Sequence, residues 1–300
     1  MYNARGACYP ISRMRTIGVI GGSGLYEIEG LTSIEEVKLS TPYGDPSDSY
    51  MVGRLGDAKL VFLPRHGRGH RILPHEINFR ANVWGMKKLG VEWILSVSAV
   101  GSMKEEIHPG DIVIVDQFID RTKARQSSFF GEGVAGHVGF ADPVCNDTAA
   151  HVYEAAKAAG ARVHKGGTYV VIDGPMFSTR AESRVYRGWG VSVIGMTNLP
   201  EAKLAREAEI CYSTIALSTD YDCWHETEED VTVEAVMAII RQNVSLAKQI
   251  VKGAAERIPG ERRCACTRAA ANAVMTAPDA IPAAARERLG IILDKYWEKA

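Results

Sequence analysis

The stretch Ile17-Gly18-Val19-Ile20-Gly21-Gly22-Ser23-Gly24 passes from an apolar run of strand length straight into a glycine turn, and its reading sets the fold class. A short buried strand that ends in a backbone-permissive loop is the opening unit of an α/β chain. Working outward, apolar runs of four to seven residues alternate with longer amphipathic stretches, which extends the α/β pattern along the sequence. The expected strands are Ile17–Ile20, Leu60–Leu63, Trp93–Val97, Ile112–Val115, Tyr169–Ile172, Ser192–Met196 and Thr214–Ser218. The expected helices are His75–Lys88, Thr148–Ala159, Ala181–Trp189, Glu201–Ala208, Val233–Arg257 and Ala283–Tyr296. Asp147 and Thr148 offer an N-cap for the second of these, and Gly160 closes it. No internal repeat or low-complexity linker interrupts residues 16–257, so they read as one domain. Residues 1–15 read as a disordered extension, or translation begins at Met14. Residues 258–300 read as an Arg-, Ala- and Pro-rich connector, Pro259–Pro282, and a terminal helix packed on the same domain.

With 300 residues, 46% of them apolar and 24% charged, the composition is that of an ordinary globular chain able to bury a sizeable core. A formal net charge of −1 steers it toward neither nucleic acid nor anionic lipid, so a bound anion must be held locally. No run approaches the roughly 20 apolar residues of a membrane span, and no signal peptide opens the chain. The expected location is the cytoplasm. Six cysteines are too sparse for a disulfide-dense scaffold. Cys264 and Cys266 form a C-x-C with no second Cys or His pair nearby in sequence, and read as surface thiols or a structural disulfide rather than a zinc site.

Six loops follow expected strands, where α/β sheets bind ligands. Gly21-Gly22-Ser23-Gly24 can aim N–H groups and a hydroxyl at an anion, or is simply a tight turn. A dinucleotide fingerprint fits it badly: Glu27 stands where the third glycine belongs, and no helix follows. Arg65-His66-Gly67-Arg68-Gly69-His70 concentrates positive charge, and Arg grips phosphate through paired N–H···O bonds. Ser98-Ala99-Val100-Gly101-Ser102 permits close backbone approach to a ligand. Gly174–Glu182 offers Phe177 as an aromatic face. Met196-Thr197-Asn198 either caps the next helix or donates to a ligand at its N-terminus. Asp220 and Asp222 end a buried strand, where repulsion and partial burial raise one carboxyl toward neutrality and suit it to proton donation.

Val19–Gly24, Arg65-His66-Gly67, Gly174-Pro175 with Phe177-Ser178, Met196-Thr197 with Pro200-Glu201, and Thr219-Asp220-Tyr221-Asp222-Cys223-Trp224 together resemble the methylthioadenosine phosphorylase family of the trimeric nucleoside phosphorylase superfamily. The resemblance covers about residues 16–257. It implies a single-domain α/β fold with a central mixed β-sheet flanked by helices. It implies a homotrimer, with a dimer of trimers left open, and active sites between subunits. It also implies that Ser23, Arg65, His66, Ser98, Ala99 and Thr197 hold phosphate, and that Met196 lies against the ribose. Phe177 packs on the purine, and Asp220 and Asp222 address its N7 and 6-amino edge. His137 comes from the neighbouring subunit, and Ser178 and Val233 set substrate preference. The family covers the 5' end with C-terminal residues, for which Leu289–Leu293 is the candidate. Met176 stands where the family usually has Arg, and Ser23 where Thr is commoner.

The implied reaction is phosphorolysis of methylthioadenosine to adenine and 5-methylthioribose 1-phosphate. Inorganic phosphate is the co-substrate, and no metal or organic cofactor is expected. A 6-amino purine donates to carboxylate, whereas a 6-oxo purine sets acceptor against acceptor, a mismatch of about 1–3 kcal/mol. The rival readings are a purine nucleoside phosphorylase of 6-oxo or broad specificity, methylthioinosine included, and a non-catalytic nucleoside-binding protein.

Overall fold

A computed structural model describes residues 14–22, 24–225 and 233–297, with the side chains at 233–238 and 240–242 outside the described part. Eleven strands are described: β1 (Arg15–Gly21), β2 (Thr32–Val37), β3 (Tyr50–Leu55), β4 (Ala58–Pro64), β5 (Trp93–Ser102), β6 (Ile112–Ile114), β7 (Gln117–Arg121), β8 (Val163–Lys165), β9 (Thr168–Ile172), β10 (Val193–Gly195) and β11 (Cys211–Asp220). Six α-helices accompany them: α1 (Phe79–Lys88), α2 (Asn146–Ala158), α3 (Arg180–Gly188), α4 (Asn198–Glu207), α5 (Val233–Arg257) and α6 (Ala283–Trp297). The strands form one mixed sheet in the order β2-β3-β4-β1-β5-β10-β9-β7, and a branch β11-β6-β8 leaves from β5.

Central strands are continuous apolar runs because both sheet faces are covered. On one face Val83 and Met86 of α1, Leu204 of α4 and Leu289 and Leu293 of α6 join a single buried cluster with Ile20, Ile94 and Tyr212. On the other, Val152 of α2 and Ile250 and Val251 of α5 pack on Val19, Leu95 and Ile215. Leu289 and Leu293 are thus core side chains, fully buried, and cannot cover a ligand as the resemblance suggested. No described helix is long and apolar enough to cross a membrane.

All seven expected strands and all six expected helices are present, with shifted ends. Helix α1 starts four residues later than His75, because the Asn78 side chain accepts from the Ala81 N–H at 3.1 Å and caps it there. Helix α2 starts earlier than its expected cap: Cys145 is the N-cap and makes no side-chain bond to the helix, so neither Asp147 nor Thr148 plays that part. Gly160 does sit just past its end, with a φ of +79°. Strands β2, β7 and β8 carry no clear apolar signature, and the apolar β3, YMVGRL, is not among the expected strands. β2 is exposed along almost its whole length and holds its place through backbone pairing with β3.

β5 is the hub of the sheet. One edge pairs in parallel with β11 from Trp93 to Gly101. The other pairs with β1 only over Trp93–Ser96, then with antiparallel β10 at Gly101 and Ser102. Residues 97–100 are therefore left without a strand partner on that side among the described residues. The gap opens a window in the middle of an otherwise closed sheet.

Candidate active site

The window is lined by what the sequence places at its corners. The Ser98 hydroxyl lies 2.9 Å from the Thr197 hydroxyl and 3.2 Å from the buried Tyr169 hydroxyl. Thr197 is the N-cap of α4 but makes no capping bond; its hydroxyl turns to Ser98 instead. Asn198 does not cap either. Its side chain donates to Ser96 Oγ at 3.0 Å and accepts from Thr214 Oγ1 at 2.8 Å, pinning the start of α4 to β5 and β11. Leu199 keeps an extended backbone, so the regular helix starts at Pro200, close to the expected Glu201. Two hydroxyls held together at a helix N-terminus, beside unpaired strand backbone, form a donor set for an anion.

Arg65, at the end of β4, is turned into the core and only 2% exposed. Its Nε and Nη2 donate to Glu201, its Nη1 to the Val97 carbonyl at 2.8 Å and its Nη2 also to Ser96 Oγ at 2.7 Å. Glu201 in turn accepts from Ser96 Oγ at 2.6 Å and Tyr212 Oη at 2.8 Å. Burial opposes the Arg65 charge, but Glu201 outweighs it and holds the guanidinium above its ordinary pKa. The sequence suggested a fork open to phosphate. The geometry instead makes this guanidinium the strut beneath the window, fixing Val97 and the α4 start. Breaking such a buried pair costs about 3–5 kcal/mol.

His66 is neutral near pH 7. Burial pushes its pKa down to about 4, and the nearby Arg65, His70 and Arg125 charges add to the effect against the Ile72 hydrogen bond. Its Nδ1 donates to the Ile72 carbonyl at 2.9 Å, and its ring stacks on His70. The ring therefore offers a neutral Nε2, not a cation. Ala99 lies within the unpaired stretch of β5. Ser23 lies outside the described residues, as does the side chain of Val233, the first residue of α5.

The carboxylates close the other end of the window. Asp220 accepts from Thr219 Oγ1 at 2.7 Å and from the Asp222 N–H at 2.8 Å. A Cβ on Gly101 would sit 2.8 Å from Asp220 Oδ1, so β5 must carry glycine where Asp220 leans in. Burial raises the pKa of both Asp220 and Asp222, and the Asp220 charge adds a smaller rise at Asp222. The expected shift is therefore found on both groups, with burial rather than repulsion as its first cause. Asp222 holds a φ of +54°, a turn conformation that Asp tolerates. Ser178 lies one contact away: its carbonyl accepts from Cys223 Sγ at 3.3 Å. Phe177 is 45% exposed and Met176 80% exposed on the rim. Met196 packs against Gly174, where any side chain would collide with its sulfur.

Arg125 is the residue that sequence reasoning missed. Its side chain is 2% exposed. It donates to the carbonyls of Met196, Leu199 and Asp173 at 2.8 Å each and pairs with the Asp173 carboxylate at 3.2 Å. It clamps the Met196 loop to the Gly174 loop. A lone Arg in the polar run Thr122–Ser128 gives no local signal of this. His137 stands apart: it is exposed and lines an open cavity of about 540 Å³ with Phe130, Val134 and Thr276, none of which belongs to the window.

Residues 16–256 match the Phosphorylase superfamily. The chain belongs to that superfamily. A relative from Geobacter sulfurreducens, named S-methyl-5'-thioadenosine phosphorylase, is 62% identical over 94% of this chain and 99% of its own length. One from Koribacter versatilis with the same name is 55% identical over 94% and 96%. Among solved structures, a methylthioadenosine phosphorylase from an antarctic soil metagenomic library superposes with a TM-score of 0.89 at 46% identity, covering 94% of this chain and 99% of that one. A methylthioadenosine phosphorylase from Schistosoma mansoni in complex with adenine gives 0.76 at 37% identity, over 80% and 91%. The superfamily assignment removes the dinucleotide rival. Its geometry agrees, since β1 and the glycine turn lead to strand β2, with no helix among the described residues between them.

Proposed function

We propose that this chain catalyses phosphorolysis of S-methyl-5'-thioadenosine to adenine and 5-methylthioribose 1-phosphate, within purine and methionine salvage. The observation that carries the reading is the pairing, across one sheet window, of the Ser98–Thr197 hydroxyls with the buried Asp220 carboxyl. The two curated relatives named above carry the same activity in their names.

Phosphate binds at the hydroxyl pair and the free β5 backbone, with His66 Nε2 accepting from its acidic OH. Ribose lies on Met196, and the purine lies under Phe177 with its N7 at Asp220. As the glycosidic bond lengthens, positive charge grows on the sugar and is stabilised by phosphate from below. Asp220, whose pKa burial raises, gives a proton to the departing base at N7, and Asp222 accepts from the 6-amino group. Phosphate then captures C1'. Inorganic phosphate is the co-substrate, and no cofactor enters this scheme.

His137 completes the site of a neighbouring chain in a homotrimer working in the cytoplasm. Its exposure on a separate surface of the chain supports that role.

The test is phosphate-dependent release of base from methylthioadenosine, adenosine, methylthioinosine and inosine, with wild type and Asp220→Asn side by side. Wild type should favour methylthioadenosine. The variant should lose about 10²- to 10⁴-fold on it while the 6-oxo substrates suffer less. Equal losses on both purine classes would remove Asp220 from base recognition. Wild-type preference for 6-oxo substrates would overturn the substrate assignment.

A further inference from the structure

Folding brings together four cysteines from three distant parts of the sequence. Cys145 precedes α2, Cys211 opens β11, and Cys264 and Cys266 belong to the 3₁₀ turn at Ala265–Arg268 and its cap. Their four sulfurs all lie within 4.8 Å of one another. Cys211 Sγ and Cys264 Sγ are 3.3 Å apart. Cys145, Cys211 and Cys266 are buried, and Cys264 is half-buried. The sequence reads Cys264 and Cys266 as surface thiols or a structural disulfide with no second pair nearby; Cys266 is in fact buried, and a second pair comes from β11 and the N-terminus of α2.

We propose that Cys145, Cys211, Cys264 and Cys266 bind one zinc ion as a tetrathiolate site separate from the nucleoside window. A tetrahedral ion with Zn–S near 2.3 Å holds its sulfurs about 3.8 Å apart, and small side-chain adjustments bring the four to that spacing. Two disulfides require two close pairs, not convergence of all four sulfurs on a common centre. The Thr148 hydroxyl, one helical turn from Cys145 and 2% exposed, has no hydrogen-bond partner. A zinc-bound Cys145 thiolate accepts from it, the outer contact that metal ligands commonly have. Three of the four cysteines line a small cleft of about 20 Å³ that gives the ion a route in, its walls carrying both Arg262 and Arg263 and the carboxylates Asp147 and Glu261. Binding releases the thiol protons as zinc enters and involves no redox step. The site fastens the segment after Pro259 to β11 and α2.

The experiment is elemental analysis of protein purified under reducing conditions without chelator, loaded with excess Zn²⁺ and desalted. One zinc per chain is expected. The double variant Cys264→Ser/Cys266→Ser should retain about a tenth of that or less. The turn that carries the two cysteines is also held by Arg262 and Ala270, which both bond to Glu209, and retention of the fold is checked by circular dichroism. Wild type loaded with Co²⁺ should show thiolate-to-cobalt charge transfer and the visible bands of a tetrahedral site, whatever the variant does. A zinc-free wild type whose intact mass lacks two hydrogens per disulfide overturns the proposal. So does a zinc-free wild type with all six thiols titratable. The zinc count is independent of phosphorolysis, so failure of one reading leaves the other standing.

Discussion

Glu207 shows how one buried side chain can govern a surface loop. It is 6% exposed, accepts from Ser128 Oγ at 2.8 Å and from the Phe129 N–H at 2.7 Å, and so holds the loop that leads into the His137 cavity. Burial raises its pKa to about 7, against the pull of those two donors. A folded-state pKa above the ordinary 4.5 means that the folded chain binds the proton more tightly. The associated stability is present below the ordinary pKa and is lost as pH rises through about 7. The ceiling on that loss is on the order of 3 kcal/mol. The thermal stability of wild type should therefore fall as pH rises from about 4.5 to about 7, and Glu207→Gln should flatten this part of the profile. A variant that keeps the wild-type slope would place the titration elsewhere. Asp220 follows the same logic in catalysis: its raised pKa keeps the acid form available, and turnover should fall as pH rises through it.

Among the elements, β5 carries the chemistry through what it lacks. Because β1 leaves it after Ser96 and β10 joins it only at Gly101, its middle residues face the window. Gly101 then makes room for Asp220. In Gly101→Ala the new Cβ meets Asp220 Oδ1 at 2.8 Å and Ile194 at 3.1 Å, and the carboxyl end is the part free to move. The variant should fold and lose about a hundredfold in kcat/KM, because a shift of about 1 Å in a reacting group has that cost. Gly188→Ala, where a Cβ meets nothing within 4 Å, should match wild type. An active Gly101→Ala would show that Asp220 need not sit where it does. The apolar runs made β5 and its neighbours legible, and the motif loops marked the window's corners. The gap was not legible, since it depends on which strand leaves and which arrives. Nor was the inward turn of Arg65, because its partner Glu201 lies 136 residues away and reads locally as an ordinary helix carboxylate. β2 escaped for a different reason: TSIEEV buries almost nothing, and only pairing with β3 makes it a strand.

At the scale of the whole molecule, the two halves of the proposed site lie on different surfaces of one chain. In the ring proposed above, His137 of each chain would reach the window of the next. Mixing His137→Ala chains with Asp220→Asn chains under conditions of subunit exchange should then restore activity that neither has alone. In random mixing about a quarter of the sites recover both residues. Mixtures no more active than their components would show that each chain is sufficient in itself. The same experiment measured by sedimentation should report three chains per particle.

Gly136 bridges to Val274, and the Ala135 N–H donates to Thr276 Oγ1, 141 residues further along. The His137 surface is thus shaped by chain made after every described strand of the sheet. A nascent polypeptide can complete its sheet strands while this face is still unformed, so in the proposed ring association would wait until Val274 and Thr276 had joined it. Ribosome-held fragments ending before Ala273 that nevertheless associate would refute that order of events.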